Sequence, residues 1–346
     1  MKVFKKIIAW AMLSIILQIG GLYVLNNFIF KHTSEFKITK MDVEVKKNTT
    51  KDIKATISTT AKDVNISYNG KYLVYKEDEN LFIQDSKTGT STQVKTEKGG
   101  TILYCDWLQD RDILVIAEKF EKDGKSKIQI VTYDAKNSSE KVVKEICTYQ
   151  ENMKVKKITA SVLTNVFYVD VDKGGLKNIV YRIDTNSDMK EVTLKSYILG
   201  NLQVIPHVDR LIYEDKANSK FFVTNPNKQL VFNSNKKLTL LGIDRNDVIY
   251  MGELNGDKIT SITYGKVEED TSTWKKVTLD SVVNANDLYF SNKSEILIND
   301  NLKGSVKNLT TGNEIAYEGK LIQIKEDFIA IMDSQGKLTY KSLKEK

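Results

Sequence analysis

Proline, cysteine and histidine each occur only twice in this 346-residue chain, and arginine is confined to Arg111, Arg182, Arg210 and Arg245. Two cysteines cannot build the dense disulfide framework of small secreted scaffolds. Scarce proline beside 41% hydrophobic residues also excludes collagenous and disordered classes and leaves ample material for a core. The formal net charge of +7 comes overwhelmingly from lysine. Arginine is the side chain that reads base edges and clamps phosphates bidentately, so no specific nucleic-acid partner is expected. His32 and His207 are too few for a histidine-rich zinc cluster, and Cys105 and Cys147 lack any C-x-x-C spacing. No G-x-S-x-G elbow stands ready to be served by a histidine base, as a serine hydrolase requires. Accordingly no catalytic, cofactor-binding or metal-ligating residue is assigned, and no cofactor is expected.

Long apolar runs are also absent, with one exception. Lys2, Lys5 and Lys6 precede a stretch from Ile7 to Phe30 without a charged side chain. As a helix these about 24 residues would extend roughly 36 Å, enough to cross a hydrocarbon core of about 30 Å with some tilt. A cleaved signal peptide would have a shorter apolar region closed by small residues, whereas this run ends in Asn26, Asn27, Phe28, Ile29, Phe30 and Lys31. No cysteine closes it for lipid attachment. The expectation is an uncleaved anchor holding the lipid bilayer through Ile7 to Phe30, with Gln18, Gly20, Gly21, Asn26 and Asn27 available to pack on a partner helix. The chain then divides into a short basic tail (1–6), a transmembrane helix (7–30), a polar lysine-rich linker (31–51) and a large domain (52–346).

That domain is repetitive. "KYLVYKED" from Lys71 has six counterparts: "DILVIAEKF" from Asp112, "NVFYVDVD" from Asn165, "DRLIYEDK" from Asp209, "DVIYMGEL" from Asp247, "SEILINDN" from Ser294 and "DFIAIMDS" from Asp327. Each is followed by a polar turn and another β-prone run, in order "LFIQDS", "KIQIVTYD", "NIVYRID", "KFFVTN", "KITSITYG", "GSVKNLT" and "KLTYKSL". Asn69-Gly70 suits a two-residue hairpin turn with positive φ, and Thr88-Gly89 turns the chain again. Runs such as "TILYCDWL", "ITASVLT", "NLQVIPHV", "LTLLGID" and "KLIQIKE" supply first strands, and "KVVKEI", "KEVTL", "QLVF", "WKKVTL" and "NEIAYEG" supply fourth strands. Four strands recurring every roughly 30 to 50 residues, with no long amphipathic helix, define an all-β fold, a β-propeller of seven four-stranded blades. The last unit stops after three strands. The β-prone segment Asp52 to Ser58 is expected to complete it and so close the ring.

"NGKYLVYKEDENLFIQDSKTG", Asn69 to Gly89, resembles the TolB-type and dipeptidyl peptidase IV N-terminal propeller repeats, which combine a glycine-lysine turn, an apolar strand and an aspartate before a threonine-glycine turn. "VKNLTTGNEIAY" repeats part of that pattern. In peptidase members of the family such a propeller gates a separate α/β-hydrolase domain; none is expected after the last blade here.

Other charged clusters have plain readings. "DVDKGG" at Asp170 and "DRND" at Asp244 lack the closing glutamate of an EF-hand and are expected as hairpin turns. The pairs Lys156-Lys157, Lys236-Lys237 and Lys275-Lys276 would attract anionic polymers or lipid headgroups if they ringed one face. His207 is expected on a first strand near the channel. The function these features imply is a membrane-anchored, extracytoplasmic, non-enzymatic binding or scaffold module for a protein or an anionic envelope polymer. The alternatives are a propeller lyase or hydrolase with an acidic channel site, and an accessory or sensory subunit of a membrane complex. Lys31, Lys37, Lys40, Lys46 and Lys47 would hold the large domain in the cytoplasm on the positive-inside rule, but long domains translocate largely regardless of charge. Protease added to intact cells is expected to degrade the large domain; its survival until the membrane is breached would reverse this orientation.

Overall fold

A computed structural model describes residues 2–24, 52–174 and 177–343. Two compact units divide the chain, residues 1–47 and 48–346. In the first, a single helix runs over Lys2–Val24, so its first turns take in the basic tail. Phe4–Val24 has a mean hydropathy of 2.0 and none of it is buried, which makes it long and apolar enough to span a membrane. The remainder of the expected span, residues 25–30, and the expected linker at 31–51 lie outside the described residues.

The second unit is a seven-bladed β-propeller. Its described residues form seven antiparallel meanders, six of four strands and one of three, each with its strands in sequence order. Counted from the N-terminus, the first strands of the blades are Lys62–Ile66, Thr101–Trp107, Lys154–Ala160, Leu199–Val204, Leu238–Ile243, Leu288–Phe290 and Lys320–Ile324. The second strands are Tyr72–Glu77, Ile113–Lys122, Phe167–Asp172, Leu211–Asp215, Ile249–Asn255, Ile296–Asp300 and Phe328–Met332. All seven second strands and all seven third strands fall on the expected runs. First strands were harder to place. Those of blades 3 and 4 begin earlier than their apolar runs suggest, and the strand of blade 4 ends at Val204, just before Pro206, which has no N–H for a ladder. The turn around Asn69-Gly70 is longer than two residues, because the flanking strands end at Ile66 and restart at Tyr72.

Second strands are apolar almost continuously because each blade lies between two neighbours and must bury both of its faces. Alternation then assigns each side chain to one neighbour. Leu73 packs in the cluster shared with blade 7 and Val74 in the one shared with blade 2. Tyr168 joins blade 4 and Val169 joins blade 2. Seven such apolar clusters lie between consecutive blades, one at each junction. Each fully buried Leu, Val or Ile in them contributes about 1.5–3 kcal/mol relative to exposure.

Polar turns repeat as well. Asp85 Oδ1 accepts the backbone N–H groups of Lys87 and Thr88, both at 2.9 Å. Asp134 accepts from Lys136 and Asn137, Asp184 from Asn186 and Asp188, and Asn308 from Thr310 and Thr311. The aspartate turn evident in one repeat of the sequence therefore recurs, as Asp or Asn, in blades 1, 2, 3 and 6.

The ring is closed by the segment that precedes blade 1. Thr56 bridges Lys337 antiparallel on the outer side of the last blade. Ile57 N–H donates to Gly336 O and Leu338 N–H to Ala55 O, each at 3.0 Å. Ala55 and Ile57 are buried with Leu73 and Tyr75 of blade 1 and Phe328, Ala330 and Leu338 of blade 7. Side chains add to the junction: Ser86 Oγ and Tyr340 OH lie 2.9 Å apart, and Ile66 N–H donates to Gln323 Oε1 at 2.9 Å. Two glycines permit this closeness. Gly336 has φ +82 and its missing side chain would collide with Ile57 O, while a Cβ at Gly70, φ +77, would meet the Phe328 ring at 2.6 Å.

Cys105 and Cys147 fall on the first and fourth strands of blade 2 and face opposite neighbours, blade 1 and blade 3. Both are free thiols.

Deleting residues up to Ser58 removes this closing strand, whereas deleting residues up to Lys47 leaves the propeller unit intact. The first truncation is expected to lower the denaturant midpoint of the domain, with the second matching the full chain. Equal midpoints for the two would show that the closing segment contributes nothing.

Candidate binding site in the central channel

Because all first strands run along the axis, their side chains and the turns that follow them line one central space. This cavity, of about 730 Å3, is bounded by residues of every blade, mostly polar ones. Its charged residues are Lys157 in the middle of the blade 3 first strand and, at or beside the ends of the other first strands, Asp106 (blade 2), Asp244 and Arg245 (blade 5), Asp287 (blade 6), and Lys325 and Glu326 (blade 7).

The aspartates are occupied by donors of the protein itself. Asp106 accepts from Asn65 Nδ2 at 2.8 Å, from its neighbour's Trp107 N–H at 2.9 Å and from Tyr104 OH at 3.2 Å, with Lys157 Nζ at 3.6 Å. Asp244 takes the N–H groups of Asn246 and Val248 and the hydroxyls of Tyr250 and Ser294. Asp287 takes amide groups from Asn284, Asn299 and Asn301. These carboxylates brace the blades and leave little acceptor capacity for a ligand.

Two cations differ. Among the described residues Lys325 and Arg245 make no ion pair; Arg245 donates only to Gln109 O, and no hydrogen bond engages Lys325 Nζ. Burial pushes the Lys325 amine down to about 8; Asp106 opposes that shift and the positive charge of Arg245 adds to it. Glu326, in the same turn, is held above the usual carboxyl range by burial, although Asn292 N–H donates to it at 2.9 Å. The Tyr289 hydroxyl is pushed up by burial and by Glu326. The site is therefore a mixed one, with two unpaired cations on the turns of blades 5 and 7 and one buried carboxyl beside a tyrosine.

Residues singled out from sequence fall mostly elsewhere. His207 is not on a first strand and does not line the cavity. It lies half-exposed in the turn after Pro206, with Nδ1 3.0 Å from Asp247 of the corresponding turn in blade 5. His32 lies outside the described residues. Asp170 is buried on a second strand rather than in a turn, bonded to Asn178 Nδ2 at 2.8 Å and pushed up to about 6 by burial. Asp244 does sit in a hairpin turn. The lysine pairs do not ring a face: Lys156 pairs with Asp172 at 2.9 Å, and Lys236 and Lys276 share Glu253 of their own blade. Two of the three pairs, Lys236-Lys237 and Lys275-Lys276, belong to blade 5. Nothing in the sequence pattern marks Lys325, Glu326 and Arg245 as site residues, although each directly follows or closes an apolar first-strand run, "KLIQIKE" and "LTLLGIDR".

No family model and no curated protein matches the sequence. Solved structures do. A prolyl endopeptidase aligns with a TM-score of 0.54 at 15% identity, over 84% of this chain but 43% of its own. The β-propeller domain of Cps50 (Swd1) from Myceliophteria thermophila aligns at 0.53 and 12% identity, over 84% of this chain and 99% of that domain. Oligogalacturonate lyase from Vibrio parahaemolyticus aligns at 0.54 and 11% identity, over 80% and 87%. These neighbours include two enzymes and a separate β-propeller domain, and at such identities they establish the β-propeller fold alone.

The depressed Lys325 amine carries a pH signature. Folded, it releases its proton near pH 8; unfolded, near the ordinary 10.5. Between those values the unfolded chain binds more protons, so stability rises with pH across that window. Lys325→Met is expected to raise the denaturant midpoint at pH 7 and to lose the rise between pH 8 and 10.5. Parallel pH profiles for the two proteins would show that the amine is not strained by its surroundings.

Proposed function

We propose that this protein is a membrane-anchored, extracytoplasmic propeller that binds an acidic group of a protein or an envelope polymer in its channel and performs no chemistry on it. One observation carries the reading: among the described residues Lys325 and Arg245 line the cavity without an ion pair, while Asp106, Asp244 and Asp287 are taken up by internal donors. Two like charges near each other, neither in a direct ion pair, raise the energy of the empty site, and an anion would relieve it. The anchor supports a role at a membrane surface. The turn pattern of blade 1 favours kinship with the TolB-type and dipeptidyl peptidase IV N-terminal propellers.

A second reading has its own support. Glu326 and Lys325 are adjacent titratable groups, both shifted toward neutrality, in a cavity; such pairs serve acid and base roles in enzymes. A lyase or hydrolase would use them so.

One experiment separates the two. Crosslinking the full chain in its native membrane is expected to capture an intact acidic partner, and Lys325→Glu with Arg245→Glu is expected to abolish capture. Capture that survives the charge reversal would refute the channel as the binding site. Partner fragments formed by the wild type but not by Glu326→Gln would establish the enzyme instead.

A further inference from the structure

We infer that the channel cavity binds an acidic saccharide, a sugar with one carboxylate or phosphate group; this names the ligand class of the binding site proposed above and rests on that proposal. The two ends of the cavity differ. Arg245 and Lys325 stand in turns between first and second strands, which all lie on one face of the ring. Asn286 precedes the first strand of blade 6, and Asn299 and Asn301 lie where its second strand ends, at the opposite end of the channel. The turn end of the cavity thus holds the two cations that make no ion pair, beside Asp106, Asp244 and Glu326, and the other end holds Asn286 beside Asp287, whose carboxylate takes the amides of Asn299 and Asn301.

Such a lining selects a ligand with a single anionic group on an uncharged, hydroxyl-bearing body. An acidic peptide presents charges in series, but the cavity holds only one unpaired cation pair. A bare anion would leave the unengaged amides of Gln323, Gln109 and Asn286 unused. Gln323 gives its Oε1 to Ile66 N–H and keeps its NH2 for the cavity, and among the described residues the side chains of Gln109 and Asn286 have no hydrogen-bond partner. A planar amide offers a donor and an acceptor side by side, which suits vicinal hydroxyls. Tyr68 and Tyr289 add aromatic rings on which the C–H face of a sugar ring can rest. At about 730 Å3 the cavity lies within the roughly 300–1,000 Å3 range of small-ligand sites, which fits a short saccharide rather than a folded partner.

The test is calorimetric titration of the full chain in detergent micelles with glucuronate, galacturonate and glucose 6-phosphate. Glucose, acetate, inorganic phosphate and an oligoglutamate peptide serve as comparisons. At least one acidic sugar is expected to bind about tenfold or more tightly than glucose and than either simple anion. Lys325→Gln and Arg245→Gln, each checked for a cooperative unfolding transition, are expected to weaken it by about tenfold, the worth of one charge-assisted contact. A uronate preference would identify a carboxylate sugar and a glucose 6-phosphate preference a phosphorylated one, both in accord with the inference. Acetate or phosphate binding as tightly as the acidic sugars, or oligoglutamate binding most tightly, would overturn the saccharide while leaving the acidic-group site standing. Absence of binding by every anionic probe would overturn both.

Discussion

Everything in this domain depends on one junction, the antiparallel contact of residues 55–57 with the last blade. Each blade is a thin sheet with two apolar faces, and neither face can be left to water. A ring satisfies all of them only if the final face meets the first. At that meeting the contact is reinforced by backbone bonds at Ile57 and Leu338, by the shared apolar cluster around Leu73 and Phe328, and by two glycines that let backbones approach. The remaining junctions use apolar packing between the sheets of consecutive blades. Only this one also lends a strand from the opposite end of the domain.

The ring also explains how a site is made from distant residues. Arg245 and Lys325 are far apart in sequence, but both occupy the position just beyond a first strand, and rotation about the axis brings equivalent positions of all blades to one rim. Any side chain at that place becomes a candidate for the channel. Here the blades differ: blades 2 and 5 place aspartates that are consumed as braces, whereas blades 5 and 7 also place cations that are not. Chemistry is thus distributed unevenly over a nearly regular frame.

Much of that frame was legible in the sequence. Second and third strands announce themselves because a strand buried on both sides is a dense apolar run and its partner follows after a polar turn. First strands face the channel and are polar or short: Lys62–Ile66 carries Lys, Asp and Asn, and Leu288–Phe290 has only three residues, so neither gives a comparable signal. In blade 4 the apolar run "QVIPHV" continues past Pro206, where the ladder cannot, and His207 was accordingly placed on a strand it does not join. The closing segment was legible from the alternation of Ile53, Ala55 and Ile57 and from the missing fourth strand of the last blade. The cation pair was not, because Lys325 and Arg245 look like ordinary solvated charges until ring geometry sets them together without counter-ions.

The position of the closing strand has a consequence for the order of assembly. Thr56 and Lys337 are separated by about 280 residues, so their pairing carries a large loop-closure cost and belongs among the latest events of folding. During synthesis blade 1 and its neighbours can stack as they emerge, but the circle stays open until the final hairpin is complete. Until then the outer strand of blade 7 and the inner face of blade 1 remain bare, and an unpaired strand edge invites pairing with another chain. The vulnerable species for this protein is therefore a nearly finished ring, and its protection is a matter of how soon the last hairpin follows the blades before it.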